Sequence, residues 1–117
     1  MLVYRVQNED GTGLYHASEY AKYLLSDLQG RHPLPYNDSK LIEELGNEDY
    51  SGKLFAFASM EQLKFWIHSR EAREAIHAEG CQVYVIETDE VWVGDTQCVF
   101  NKFSGIVVDV ISLLDLK

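Results

Sequence analysis

The sequence predicts an α+β domain built on a mainly antiparallel sheet of about five to six strands, with about two to four helices, in the order β-α-α-β-α-β-β-β. Two observations carry this. Helical apolar spacing recurs before Gly80, whereas the chain after Gly80 runs in short β-type segments separated by turn formers. Regular strand–helix alternation, which a parallel doubly wound sheet requires, is absent from that last third. The chain has 117 residues, 46% hydrophobic and 25% charged, the size and composition of one globular domain spanning 1–117.

The first strand is Leu2 to Gln7, where Val3, Tyr4 and Val6 supply β-forming side chains, and the turn formers from Asn8 to Gly13 end it. Ala21, Leu24, Leu25 and Leu28 then fall at helical spacing, with Ser18 as N-cap and Gly30 as stop. Pro33 and Pro35 force an extended passage, because each disfavours helix in the residue before it. Asp38 then caps a short helix carrying Leu41, Ile42 and Leu45, which Gly46 ends. A long connection of this kind reads either as a functional loop or as a simple surface lid.

Leu54 to Ala58 read as a second strand. Ser59 and Gln62 have the S-x-x-Q form of a capping box, in front of a helix that buries Leu63, Trp66 and Ile67. Ser69 offers a second start, so residues 59–80 form either one bent helix or two abutting ones. Cys81 to Thr88, Val91 to Val93 and Ile106 to Ile111 read as further strands, and Thr96 to Phe100 either continues the strand broken at Gly94-Asp95 or starts a new one. The apolar run Gly105 to Val108 reads as a buried strand, with Val108 and Val110 on one face and Asp109 on the other. Leu113, Leu114 and Leu116 are expected to fold the tail onto the core.

Nineteen acidic against ten basic side chains give a net charge of −9. A nucleic-acid surface needs clustered Lys and Arg to displace counterions, and none is clustered here, so direct DNA or RNA binding is not expected. The acidity suits solubility, or a protein partner with a basic surface. No apolar run reaches the roughly 18 residues of a membrane span, and the start lacks a signal-peptide pattern, so the expected location is cytoplasmic. Cys81 and Cys98 sit in apolar strands and read as reduced core thiols. His16, His32, His68 and His77 show no metal-pair spacing. His68 and His77 would lie about 180° apart on a straight helix. Glu43-Glu44, Glu48-Asp49 and Asp89-Glu90 match no calcium loop and read as solvated faces.

One ordered set of polar residues remains. Arg5 lies in Val3-Tyr4-Arg5-Val6, Ser59 closes Phe55-Ala56-Phe57-Ala58-Ser59 before a helix, and Gln97 lies in Gly94-Asp95-Thr96-Gln97-Cys98. This order resembles the diphtheria-toxin and cholera-toxin-like ADP-ribosyltransferase superfamily, whose arginine class carries Arg, Ser and Glu on corresponding elements. The resemblance implies NAD as cofactor and catalytic roles for Arg5, Ser59 and Gln97. Arg5 would clamp the NAD phosphates or ribose, and Ser59 would support the nicotinamide pocket. Tyr15, Tyr36 or Phe55 would stack on the nicotinamide ring. Gln97 stands where the family has its catalytic glutamate; it can hydrogen-bond the ribose but brings no charge to the transition state.

Tyr4-Arg5-Val6, Gly11-x-Gly13-x-Tyr15, His32-Pro33-x-Pro35-x-x-Asp38 and Phe55-x-Phe57-x-Ser59-x-Glu61-Gln62-x-x-x-Trp66 also resemble small uncharacterised bacteriophage and prophage proteins. That resemblance implies a compact accessory factor acting on a bacterial host, non-catalytic and binding a protein partner, as inhibitor or modulator. The charge of −9 without a complete catalytic set points the same way. A third reading is a homo-oligomer formed at an exposed sheet edge.

Overall fold

Chain alternation between two sheets organises the molecule. The computed structural model describes residues 1–14, 18–19, 38–46, 48 and 51–116. Its strands are β1 (Leu2–Gln7), β2 (Lys53–Ala56), β3 (Gln82–Glu87), β4 (Val91–Val93), β5 (Cys98–Asn101) and β6 (Ile106–Ile111). Its helices are α1 (Ser39–Leu45), α2 (Met60–Trp66) and α3 (Arg70–Ala78), with a 3-10 turn at Leu113–Asp115. One sheet has the order β1-β3-β6 and the other β2-β5-β4, and every pairing is antiparallel. The α+β class and the antiparallel pairing expected from the sequence are what the structure has. The helix expected after Ser18, and the proline passage up to Asn37, lie outside the described residues.

The chain passes from the first sheet to the second after β3 and returns after β5, and the two passages are tied together. Buried Thr88 follows β3 and Ser104 precedes β6, and their hydroxyls lie 2.7 Å apart. Among the described residues one isolated antiparallel bridge, Tyr4 with Phe57, joins the sheets through two backbone hydrogen bonds of 2.8 Å.

Strand alternation on β1 feeds two cores, since successive side chains point to opposite faces. Val3 packs with Ile86, Ala56, Cys98 and Phe100, where the two sheets meet. Val6 instead joins Phe57, Leu63, Trp66, Ile67, Ile76, Val83 and Leu113 beneath α2 and α3. Phe57 and Trp66 meet edge to face there, 5.3 Å between ring centres. A third cluster, Leu41, Leu45 and Val99 with Trp92 against it, seats α1 on the second sheet.

Residues 59–80 are two abutting helices. α2 ends at Ile67, and Ser69 caps α3 by accepting from the Ala72 N–H at 3.0 Å. Arg73 fills the corner, donating to the Ile67 carbonyl at 3.0 Å and to that of Leu116 in the tail at 3.3 Å. Leu113 is fully buried, so the tail does fold onto the core.

The last strand departs from expectation. Ile106, Val107, Val108 and Val110 are 68%, 51%, 55% and 42% exposed, so β6 is not buried. It is the outer strand of its sheet, and only β3 flanks it among the described residues. The register between β3 and β6 also slips at Val85/Ile86, leaving Val108 without a partner on β3. That extra residue is a β-bulge, and it shifts the face of everything before it. Val107, opposite Ile86, therefore shares a face with Val110, opposite Tyr84.

Candidate functional site

The residues expected to form a catalytic set occupy separate elements. Arg5 is buried on β1, and its Nη1 donates to the Phe55 carbonyl at 2.7 Å and its Nε to Gln7 Oε1 at 2.9 Å. A Cβ at Gly13 would come within 2.7 Å of the guanidinium, so the glycine makes room for it. Burial lowers the Arg5 pKa from 12.5, yet an arginine stays charged in a protein. Ser59 is the N-cap of α2 and accepts from the Gln62 N–H at 3.2 Å. Gln97 is buried just before β5, and its carbonyl accepts from the Gly94 N–H at 2.8 Å. Arg5 thus sits in β1 of the first sheet, and Gln97 in the turn that leads into β5 of the second. Phe55 is 41% exposed on β2, while Tyr15 and Tyr36 lie outside the described residues.

The structure gathers a different set around the turn Gly94–Gln97. Asp38 is 4% exposed, and its carboxylate receives four hydrogen bonds. Oδ1 accepts from the Leu41 N–H at 3.1 Å, which caps α1, and from the Asp95 N–H at 3.1 Å. Oδ2 accepts from the Thr96 N–H at 2.9 Å and from its hydroxyl at 2.8 Å. Burial by itself would raise this pKa, but the bonds from Thr96, Asp95 and Leu41 outweigh it and hold the carboxyl below 3.8. A side chain at Gly94 would bring a Cβ within 2.4 Å of the carboxylate, so only glycine fits.

Gln62 grips the same turn from α2. Its Oε1 accepts from the Ala58 N–H at 2.8 Å, one residue earlier than the capping-box form implies. Its Nε2 donates to the carbonyls of Gly94 at 3.1 Å and Asp95 at 3.2 Å. Cap signals showed Asp38 and Gln62 as helix starts. Their second task depends on long-range folding, and Gly94-Asp95-Thr96 was its only local trace.

Asp38 has no spare role in proton transfer: both oxygens are occupied, and its charge holds α1 against the second sheet. The outcome is a fixed outer surface. α1 turns Leu41 and Leu45 inward and exposes Ile42, Glu43 and Glu44, with exposed Glu48 just beyond its end. Lys40, also exposed on α1, and Lys53, which reaches Glu48 at 3.5 Å and stands 4.8 Å from the Trp92 ring centre, offset part of this charge. A separate cavity of about 610 Å³ lies between α3 and the tail, lined by Arg70, Arg73, Glu74, His77 and three leucines.

Both thiols are free and buried, and burial pushes that of Cys98 up to about 12, which keeps it un-ionised and inert at neutral pH. No group of three metal-ligating side chains occurs among the described residues. No described helix is long and apolar enough to cross a membrane.

A family model described as "Bacteriophage T4 Y00F protein" matches residues 1–114. No curated protein and no solved structure matches the chain. The resemblance to phage proteins drawn from the sequence is thereby supported across nearly its whole length, and the resemblance to ADP-ribosyltransferases receives no support.

Proposed function

From the premise that this chain belongs to the bacteriophage T4 Y00F protein family, we propose that it is a phage accessory protein that acts by binding a basic surface of a host protein. One observation carries this reading: the acidic ridge of α1 is rigidly mounted. A helix of seven residues is too short to hold its shape alone in water. Here Asp38 and the Leu41–Leu45–Val99 cluster fix it, and it presents Ile42, Glu43 and Glu44 outward, beside Ser39 and a lone lysine, Lys40, in its first turn. Fixed carboxylates around an exposed apolar side chain suit a partner with Lys and Arg around an apolar dimple. Their field speeds encounter and rejects acidic partners.

The test is capture of host proteins on the full chain in about 0.1 M and about 0.5 M salt, since the higher concentration shortens the screening length to a few ångströms. A specific partner should be retained at low salt and lost at high salt. It should also be lost with Glu43→Lys/Glu44→Lys, a pair of exposed positions whose change leaves the fold intact. Retention unaffected by the double variant would overturn the reading. A thermal shift with NAD separates the alternative that uses Arg5, Ser59 and Gln97, because a ligand bound only by the folded state raises Tm. The expected shift is zero.

A further inference from the structure

The edge of β6 that no described strand pairs has no role in the acidic-ridge reading. We infer that the protein forms a two-fold dimer by antiparallel pairing of β6 with β6 of a second copy.

Exposed strand edges in monomers are ordinarily shortened, crossed by proline or lined with lysine, because their unpaired backbone groups recruit other strands. β6 is six residues long, as long as β1 and β3, and reads Ile-Val-Val-Asp-Val-Ile. It contains neither Lys nor Pro. Four of its apolar side chains are more than two-fifths exposed, and Phe103, in the turn leading into it, is 83% exposed. Monomers seldom expose so continuous an apolar strip.

Charge selects the occupant. Two copies each carrying −9 repel one another over most approaches, so they can meet only where local charge is low. β6 bears one carboxylate, Asp109, in six residues. A basic host segment would find little on this strip to attract it, whereas a second apolar strand matches it. Symmetry points the same way. The other edge of this sheet, β1, is already bridged to β2 through Tyr4 and Phe57, so pairing at β6 closes after two copies. The product is one sheet in the order β1-β3-β6-β6-β3-β1.

Asp109 sets the register. A two-fold axis at Asp109 would place two carboxylates directly opposite, which is destabilising. An axis between Val108 and Asp109 instead sets Val107 against the partner's Val110, two residues the bulge places on one face, and Ile106 against the partner's Ile111. The Val110 N–H donates to the Asp109 carboxylate at 2.8 Å, so the one acid on the strand covers a backbone donor until a partner strand arrives.

The test is molar mass by light scattering of the full chain across a dilution series, at about 0.1 M and about 0.5 M salt. The expected result is a concentration-dependent rise to twice the mass of one chain, strengthened by salt because salt screens the mutual repulsion. Binding to a basic host protein weakens with salt, so either association can fail without the other. Val108→Lys removes the contact at a residue with no partner on β3, and should give a monomer with unchanged Tm at low concentration. Should that variant misfold, Ile106→Lys, at the 68% exposed start of the strand, replaces it. Leu114→Lys, exposed on the 3-10 turn outside the strand, should leave the dimer intact. A monomer mass at every concentration, or a β6 variant that dimerises like the parent, overturns the inference.

Discussion

At the scale of single residues, the buried charges are employed in holding backbone, and Asp38 is the clearest case. Its four hydrogen bonds tie together α1 and the turn before β5, segments more than fifty residues apart. Removing a charged acceptor strands several buried donors, so Asp38→Ala should cost about 3 kcal/mol in urea unfolding at neutral pH. The acid dependence follows from its lowered folded-state pKa. The unfolded chain binds this proton near 3.8 and the folded chain only at a lower pH, so stability from Asp38 is complete above 3.8. It drains away as pH falls through the folded value. The stability gap between the parent and Asp38→Asn should therefore narrow below pH 3.8; a gap that stays constant on acidification would refute this account. Arg5 works alike with the opposite sign, spending its donors on the Phe55 carbonyl and Gln7. Both residue types occur at catalytic centres and at structural joints alike, and only the partners around them tell the two apart.

At the scale of elements, the turn Gly94–Gln97 is held from two sides, by Asp38 before α1 and by Gln62 from α2. Because both grip one turn, their losses should not add. Gln62→Ala alone is expected to cost about 1.5 kcal/mol, from a cap bond and two bonds to carbonyls. In the Asp38→Ala background it should cost less by about 0.5–1 kcal/mol, since the turn is then already loosened. A double-mutant cycle by urea unfolding measures the difference, and additivity would show that the two grips act independently. The helix starts at Asp38, Ser59 and Ser69 were legible in the sequence because capping is a local matter of side chain to nearby N–H. Strand positions were legible for the same reason, through alternation and turn residues. What could not be read locally was which sheet each strand joins. β6 shows the consequence: an apolar run suggests burial, yet whether it is interior or edge depends on strand order, and the bulge at Val108 arises from register with β3. The set Arg5, Ser59 and Gln97 was read from chain order alone, and chain order does not say which sheet each strand joins.

At the scale of the whole molecule, the excess of carboxylates acts as a mutual repulsion that folding must overcome. Unfolding spreads nineteen acids apart, so the folded state bears more of this cost than the unfolded one. Few contacts on the described surface repay it. Met1 with Glu87 at 2.7 Å, Lys53 with Glu48 at 3.5 Å and Arg70 with Glu74 at 3.0 Å all involve an exposed member, and such pairs contribute about 0–1 kcal/mol each. Salt weakens the repulsion and the pairs together, so the sign of its effect on Tm shows which is larger. Going from about 0.01 M to about 0.2 M salt shortens the screening length from roughly 30 Å to under 10 Å. That removes repulsion between distant carboxylates while sparing pairs in direct contact. Tm at low protein concentration should therefore rise by a few degrees, the shift that about 1 kcal/mol produces in a domain of this size. The Val108→Lys variant should rise by a comparable amount, because this effect belongs to the single chain and not to pairing through β6. A fall in Tm would mean that the exposed ion pairs outweigh the net charge, and a rise confined to the parent would mean that the salt was acting on its dimer.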